Sequence, residues 1–221
     1  MNYFELLKTL YDVYDSFEGR VVNSKKIVSK IKRALPYKEC VIFSIESLSI
    51  PKCHFNVSGL YDPDRDEDGK PPILIEIAFS KRSEGFSFTE DDLSREHWAE
   101  LCLQFSGILG HEYMHLHQFR KRNYNWCNPY KSSATNRKLK EQQEYYGDPD
   151  EVDAYAFTAA AELMVEQINN PRKQIPIQKL PLYKTYVMVF DKKDPVVLKF
   201  MKLTDRYYKK LEKQYNDTTF E

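Results

Sequence analysis

Apolar and aromatic side chains recur at helical spacing from the start of the chain. Tyr3, Phe4, Leu6, Leu7, Leu10, Tyr11 and Tyr14 form one stripe and predict an amphipathic helix over residues 2–15. Ile27, Ile31 and Leu35 predict a second, shorter helix that Pro36 ends. The period then changes. Cys40–Ile45 is a β-rich run, and Ile73–Phe79, after Pro71 and Pro72, is the strongest strand signal in the chain. Between them Tyr61–Lys70 is polar and rich in acids. Gly69 and the missing terminal Glu do not fall at the offsets of an EF-hand, so the stretch reads as a solvated loop or hairpin tip and not as a calcium loop.

The second half reads as mainly helical. Thr89-Glu90-Asp91-Asp92 offers a cap residue and first-turn acids, and a long helical pattern follows to about Phe119. Residues 121–147 are polar, with Lys131–Gln143 reading as an exposed loop or weak helix. A further helix is expected over about 149–168. Pro171, Pro176 and Pro181 punctuate the region 172–190, where one strand is expected around Tyr186–Phe190. Val196 to about Tyr215 is an amphipathic helix with a Lys-rich outer face. The expectation is a single α+β domain over 1–221. It has N-terminal helices over 1–37, a small sheet over 38–80 and helices over 89–168 with a loop insertion at 121–147. A C-terminal helical layer fills 169–221.

Composition narrows the partners. A chain of 221 residues buries about 70% of its unfolded surface and needs no staples. Its 33 basic and 33 acidic residues cancel, which argues against nucleic acid or an anionic membrane as an obligate partner. No apolar run approaches the length of a membrane span and the N-terminus does not resemble a signal peptide, so the expected location is the cytoplasm. Cys40, Cys53, Cys102 and Cys127 form no Cys-x-x-Cys pair and read as reduced thiols.

One motif carries chemistry. In His111-Glu112-Tyr113-Met114-His115 the two histidines stand one helical turn apart, so both imidazoles can reach one metal ion. Glu112 lies beside them as a carboxylate base that need not be a ligand. Trp98, Leu101, Cys102, Phe105, Ile108 and Phe119 share the side of the helix that carries Glu112 and His115. The motif thus sits in a buried stripe, where unpaired polar groups are costly. The plain alternative is a pair of hydrogen-bonded core histidines. His117 points elsewhere on the helix and reads as a surface residue; His54 and His97 are isolated and read as structural.

A catalytic zinc takes three protein ligands and keeps a fourth position for water. The pattern in which a histidine follows a glycine turn is excluded, because Gln118 and Lys121 stand at those two positions. The other arrangement draws a Glu from a second helix. Asp148 can cap such a helix, Pro149 suits its first position, and Val152, Ala156, Ala159 or Ala160, and Leu163 make its buried face. Glu151, in its first turn, is the candidate third ligand and Asp153 the next. A capping box with Asp148 would also explain Glu151 without a metal.

His111-Glu112-Tyr113-Met114-His115 followed by Glu151-Val152-Asp153-Ala154 resembles the gluzincin clan of zinc metallopeptidases. Tyr155-Ala156-Phe157 and Ala161-Glu162-Leu163-Met164 are similar to a segment of ImmA/IrrE-type peptidases and of metallopeptidase-like proteins encoded by bacteriophages. The likeness covers about residues 98–165. It implies a zincin-like fold, Zn2+ held by His111, His115 and Glu151, Glu112 as general base, and a peptide or protein as substrate. It also implies a second electrophile, for which Tyr183 and Tyr186 are candidates, and an edge strand for substrate, a role Ile73–Phe79 is placed to fill. A buried core strand is the competing reading of that run. Two features depart from the pattern. Tyr155 stands where thermolysin-like enzymes carry an Asp that orients a zinc-binding histidine, and Asn123–Tyr146 lengthens the gap between the ligand helices. The alternative function is a zinc-stabilised binding or structural module that does not catalyse.

Overall fold

Side-chain caps set the helix starts. The computed structural model describes residues 2–35, 37–47, 55–81 and 85–219; Pro36, Cys53 and His54 lie outside the described residues. Asn2 Oδ1 accepts from the Phe4 and Glu5 amides and opens α1 (Tyr3–Asp15). Asn23 does the same for α2 (Ser24–Ala34) through the Lys26 amide. The fold is mixed α+β, and the chain divides into two units, Met1–Leu116 and His117–Glu221.

Among the described residues the first unit holds two small sheets. In one, β2 (Cys40–Ser47), β4 (Ile73–Ser80) and β3 (Phe55–Tyr61) lie in the order β2-β4-β3, with β2 parallel and β3 antiparallel to β4. Ile73, Ile75, Ile77 and Phe79 alternate onto one fully buried face, as a period of two demands. The central place of β4 corrects the edge-strand expectation for Ile73–Phe79: both of its sides are paired, and the core-strand reading holds. The acidic stretch after Tyr61 is a hairpin connection carrying a short helix, α3 (Pro63–Glu67), capped by Asp62. In the other sheet β1 (Val21–Val22) pairs antiparallel with β5 (Phe86–Ser87).

The long helix α4 runs over Arg95–Lys121 and starts five residues later than Thr89 as cap predicts. Asp92 is recruited elsewhere: its carboxylate accepts the Ser87 amide, and Leu93 returns its amide to the Ser87 carbonyl, which closes a turn. Ser94 takes over as cap and accepts the His97 amide. His97 is held by Ser94 Oγ and the Asp92 carbonyl, a structural role as expected. Trp98, Leu101, Cys102 and Phe105 are fully buried along the predicted stripe.

The second unit is helical. After α4 come α5 (Arg137–Gly147), α6 (Pro149–Asn169), a 3-10 turn at Ile177–Lys179, α7 (Pro181–Val189) and α8 (Pro195–Thr219). The weak helical reading of Lys131–Gln143 is resolved as α5, which Asn136 caps through the Leu139 amide. The strand expected at Tyr186–Phe190 is not formed. Pro181 opens a helix there, and Tyr183, Tyr186 and Val189 bury at every third position, so packing overrides the β-branched local signal. Ala156, Ala159, Ala160 and Leu163 make a close-packing face on α6, and α6 packs chiefly on α8 within this unit. Among the described residues no helix is long and apolar enough to cross a membrane.

Candidate metal centre

His111, Glu112 and His115 all belong to α4, whose apolar stripe seats them. The two imidazoles meet Nε2 to Nε2 at 3.1 Å, their ring centres 4.8 Å apart and nearly perpendicular. Two nitrogens each bonded to a tetrahedral zinc at about 2.0–2.1 Å stand roughly 3.3 Å apart, so this pair fits one ion with little adjustment. A single shared proton would also tolerate the spacing. Both rings are half-buried, whereas His117 is exposed, as its place on the helix predicts.

Glu112 is the buried member of the motif, 8% exposed. A strand the sequence reading missed explains how it is housed. β3 runs Phe55, Val57, Gly59, Tyr61 along one face, and Gly59 lets its backbone come close to α4. A Cβ at Gly59 would press into Ile108 Cγ2 and stand 3.0 Å from Glu112 Cγ and 3.1 Å from Glu112 Oε1. The alternation of Phe55, Val57 and Tyr61 was the available signal, and the glycine interrupting it marked a close approach. Because Ile108 is β-branched and stiff, Gly59→Ala is expected to destabilise the chain by about 1–3 kcal/mol. A urea midpoint equal to that of wild type would contradict this. On the other side of the motif the Tyr113 hydroxyl donates to Glu39 Oε2 at 3.3 Å.

Glu151 lies in the first turn of α6, as predicted. Asp148 is the cap of that helix. The Asp148 carboxylate accepts the Asp150 amide at 2.9 Å, and the Asp148 amide donates to the Tyr145 carbonyl at 3.2 Å. Asp153, the alternative ligand, is engaged by neighbours. Its carboxylate accepts from the Tyr207 hydroxyl at 2.8 Å and the Gln118 amide at 3.3 Å, with the Arg206 guanidinium at 3.9 Å. Gln118 also donates to the Asp150 carbonyl at 3.2 Å. The last turn of α4, one turn beyond His115, is thereby tied to the first turn of α6.

Cys127, Asp148 and Asp150 form a second cluster of ligand-type atoms. Arg122 makes a two-point ion pair with Asp150, at 2.8 and 2.5 Å, and the Cys127 thiol donates to Asp148 at 3.4 Å. Desolvation first, and then the two carboxylates, push the thiol up to about 11. This cluster therefore anchors the loop after α4 to the start of α6. Cys127 is expected to stay protonated at pH 8, as a raised acid pKa favours the neutral form. Peptide mapping after iodoacetamide should show it alkylated far more slowly than a model thiol, with the rate rising towards pH 11. Cys40 and Cys102 are likewise free thiols that burial holds above the ordinary range.

Tyr155 does not stand alone. Its hydroxyl meets that of Tyr145 at 3.0 Å, the Tyr146 ring lies tilted against it, and Tyr186 packs on it edge-on. Tyr183 and Tyr186 both lie on α7 with buried hydroxyls. No family model, curated protein or solved structure matches the chain.

Proposed function

We propose that the chain is a zinc metallopeptidase in which His111, His115 and Glu151 hold the metal and Glu112 is the general base. The observation that carries this reading is the convergence of the two Nε2 atoms at 3.1 Å beside a buried carboxylate. The two hydrogen bonds and the ion pair that engage Asp153 favour Glu151 as the oxygen ligand. Zinc, when bound, would supply a Lewis acid that acidifies a water and polarises a carbonyl. Glu112 would accept the proton of the attacking water at its carboxylate and return it to the leaving amine. A structural zinc site would close its fourth position with protein and have no use for that base.

The substrate class is an extended peptide. β3 is an outer strand of its sheet and passes Glu112 at Gly59, which supports a chain lying along that edge. Resemblance to the gluzincin clan, carried by the motif and by Glu151 to Met164, agrees with this reading. Zinc content by plasma mass spectrometry tests it. One zinc per chain in wild type, lost in His115→Ala and Glu151→Ala, is the expected result. Wild-type protein that stays metal-free after reloading would reject it.

A further inference from the structure

β2 presents an open edge. Among the described residues only β4 pairs with it, in parallel over the whole of Cys40–Ser47. The Ile73 and Lys81 amides donate to the Glu39 and Ser47 carbonyls, so the odd-numbered residues turn their main-chain groups towards β4. Ile42, Ser44 and Glu46 turn theirs outward, because those groups alternate along a strand. Such an edge is ordinarily blunted by a lysine, a proline or a bulge, and β2 has none of the three. Its side chains Phe43 and Ile45, on the face away from the core, are 38% and 41% exposed.

α2 lies along this strand. At one end its Ser24 hydroxyl donates to Glu46 Oε1 at 2.8 Å. At the other, Lys32, Leu35 and Tyr37 join Cys40, Val41 and Ile42 around a cavity of about 270 Å3. Three successive residues of β2 line that cavity although their side chains alternate faces, which places it at the unpaired edge. The helix carries Lys25, Lys26, Lys30, Lys32 and Arg33 and no acid. Among the described residues none of these cations is in an ion pair. Lys25 and Lys32 stand two turns apart on one stripe, and Lys32 sets that stripe beside the cavity. The acids at the ends of β2 are held by neighbours, Glu46 by Ser24 and Glu39 by Tyr113, and the cations of α2 outnumber them.

These features together fit a polypeptide. A second copy paired at β2 would bring two basic helices together, and like charges oppose that. Ile27 and Ile31 are fully buried, so α2 has no apolar face left for a lipid surface. A nucleic acid cannot bond to the edge as a strand does. We propose that the open edge of β2 is a docking site for an acidic, extended segment of a partner protein. The segment adds to β2 as a strand and bonds to the main chain of Ile42, Ser44 and Glu46. Its acids face α2, its alternate apolar side chains continue the face of Phe43 and Ile45, and one large apolar side chain enters the cavity. The site is independent of the metal reading, since β3 is the strand on the other side of β4.

The test is selection of displayed random octapeptides, the length of β2, on the full chain. Fluorescence anisotropy of the synthetic winners then compares wild type, Ser44→Pro and Lys25→Glu/Lys32→Glu. Ser44→Pro deletes an outward amide and leaves the ladder to β4 in place. Lys25 and Lys32 are exposed, so reversing their charge does not touch the core. The expected winners are acidic with alternating apolar residues, and each variant, with a wild-type circular dichroism spectrum, binds them about tenfold more weakly. If proline disturbs the spectrum, the charge-reversed variant decides alone. Winners without acids, or winners bound equally well by Lys25→Glu/Lys32→Glu, overturn the site. A wild-type dimer in sedimentation that Ser44→Pro makes monomeric assigns the edge to a second copy and overturns it. Tighter binding to a DNA duplex or to phosphatidylserine vesicles than to the winning peptides overturns it as well.

Discussion

Glu112→Gln is expected to lower peptide hydrolysis by about 10²–10⁴-fold while leaving one zinc per chain. The amide matches the carboxylate in shape, so the packing of this 8%-exposed side chain against Gly59 and Ile108 survives. What disappears is the acceptor for the water proton. His111 and His115 still present their Nε2 atoms to one another, so metal content should not follow activity down. The paired readout separates the two functions open to this chain. A catalytic site loses turnover and keeps zinc. A zinc-stabilised module shows no hydrolysis in either protein, and its thermal midpoint depends on zinc alone. Turnover unchanged by the substitution, measured on a peptide library with wild type alongside, would remove Glu112 as the base.

Trp98→Ala is expected to cost about 3–5 kcal/mol of unfolding free energy, the range for truncating a large buried aromatic. Trp98 is 0% exposed and joins three segments that are distant in sequence. Its indole N–H donates to the Leu10 carbonyl at 2.9 Å, and its ring meets Tyr14 and Phe88 at 5.8 and 5.6 Å. The deletion therefore leaves a cavity between α1 and the first turns of α4, removes two aromatic contacts and strands an acceptor. A domain is stable by only about 5–15 kcal/mol, so the loss should be plain in a urea titration. Trp98→Phe keeps most of the ring volume and isolates the hydrogen bond, for which about 1–2 kcal/mol is expected. A Trp98→Ala midpoint within error of wild type would show that α1 does not depend on this anchor.

Much of the fold was legible because local chemistry and packing agreed. The stripe of α1, the long helix bearing the motif, α6 with Asp148 as its cap, and α8 all appear where periodicity predicts them. Two histidines one turn apart with a Glu between them also needed no structure to be recognised, since helical geometry alone sets their spacing. Local signals misled where another contact competed for the same residue. Asp92 was drawn into a turn by the Ser87 amide and so did not start α4. The β-branched run after Tyr186 became helix because its aromatic side chains found burial at every third position.

Periodicity also marked Ile73–Phe79 as a strand, but strand order is a long-range property. Only pairing on both sides showed β4 to be central and β3 to be the strand beside Glu112. The same limit applied to the acids. Glu151 and Asp153 stand two residues apart, and the sequence ranked Glu151 first as third ligand with Asp153 next. Tyr207 and Gln118, far from them along the chain, engage Asp153. The sequence by itself determined which residues could do metal chemistry, because that depends on spacing along one helix. Which side chains engage Asp153, and which strand passes Glu112, depended on groups brought together from distant parts of the chain, and only the tertiary structure decided it.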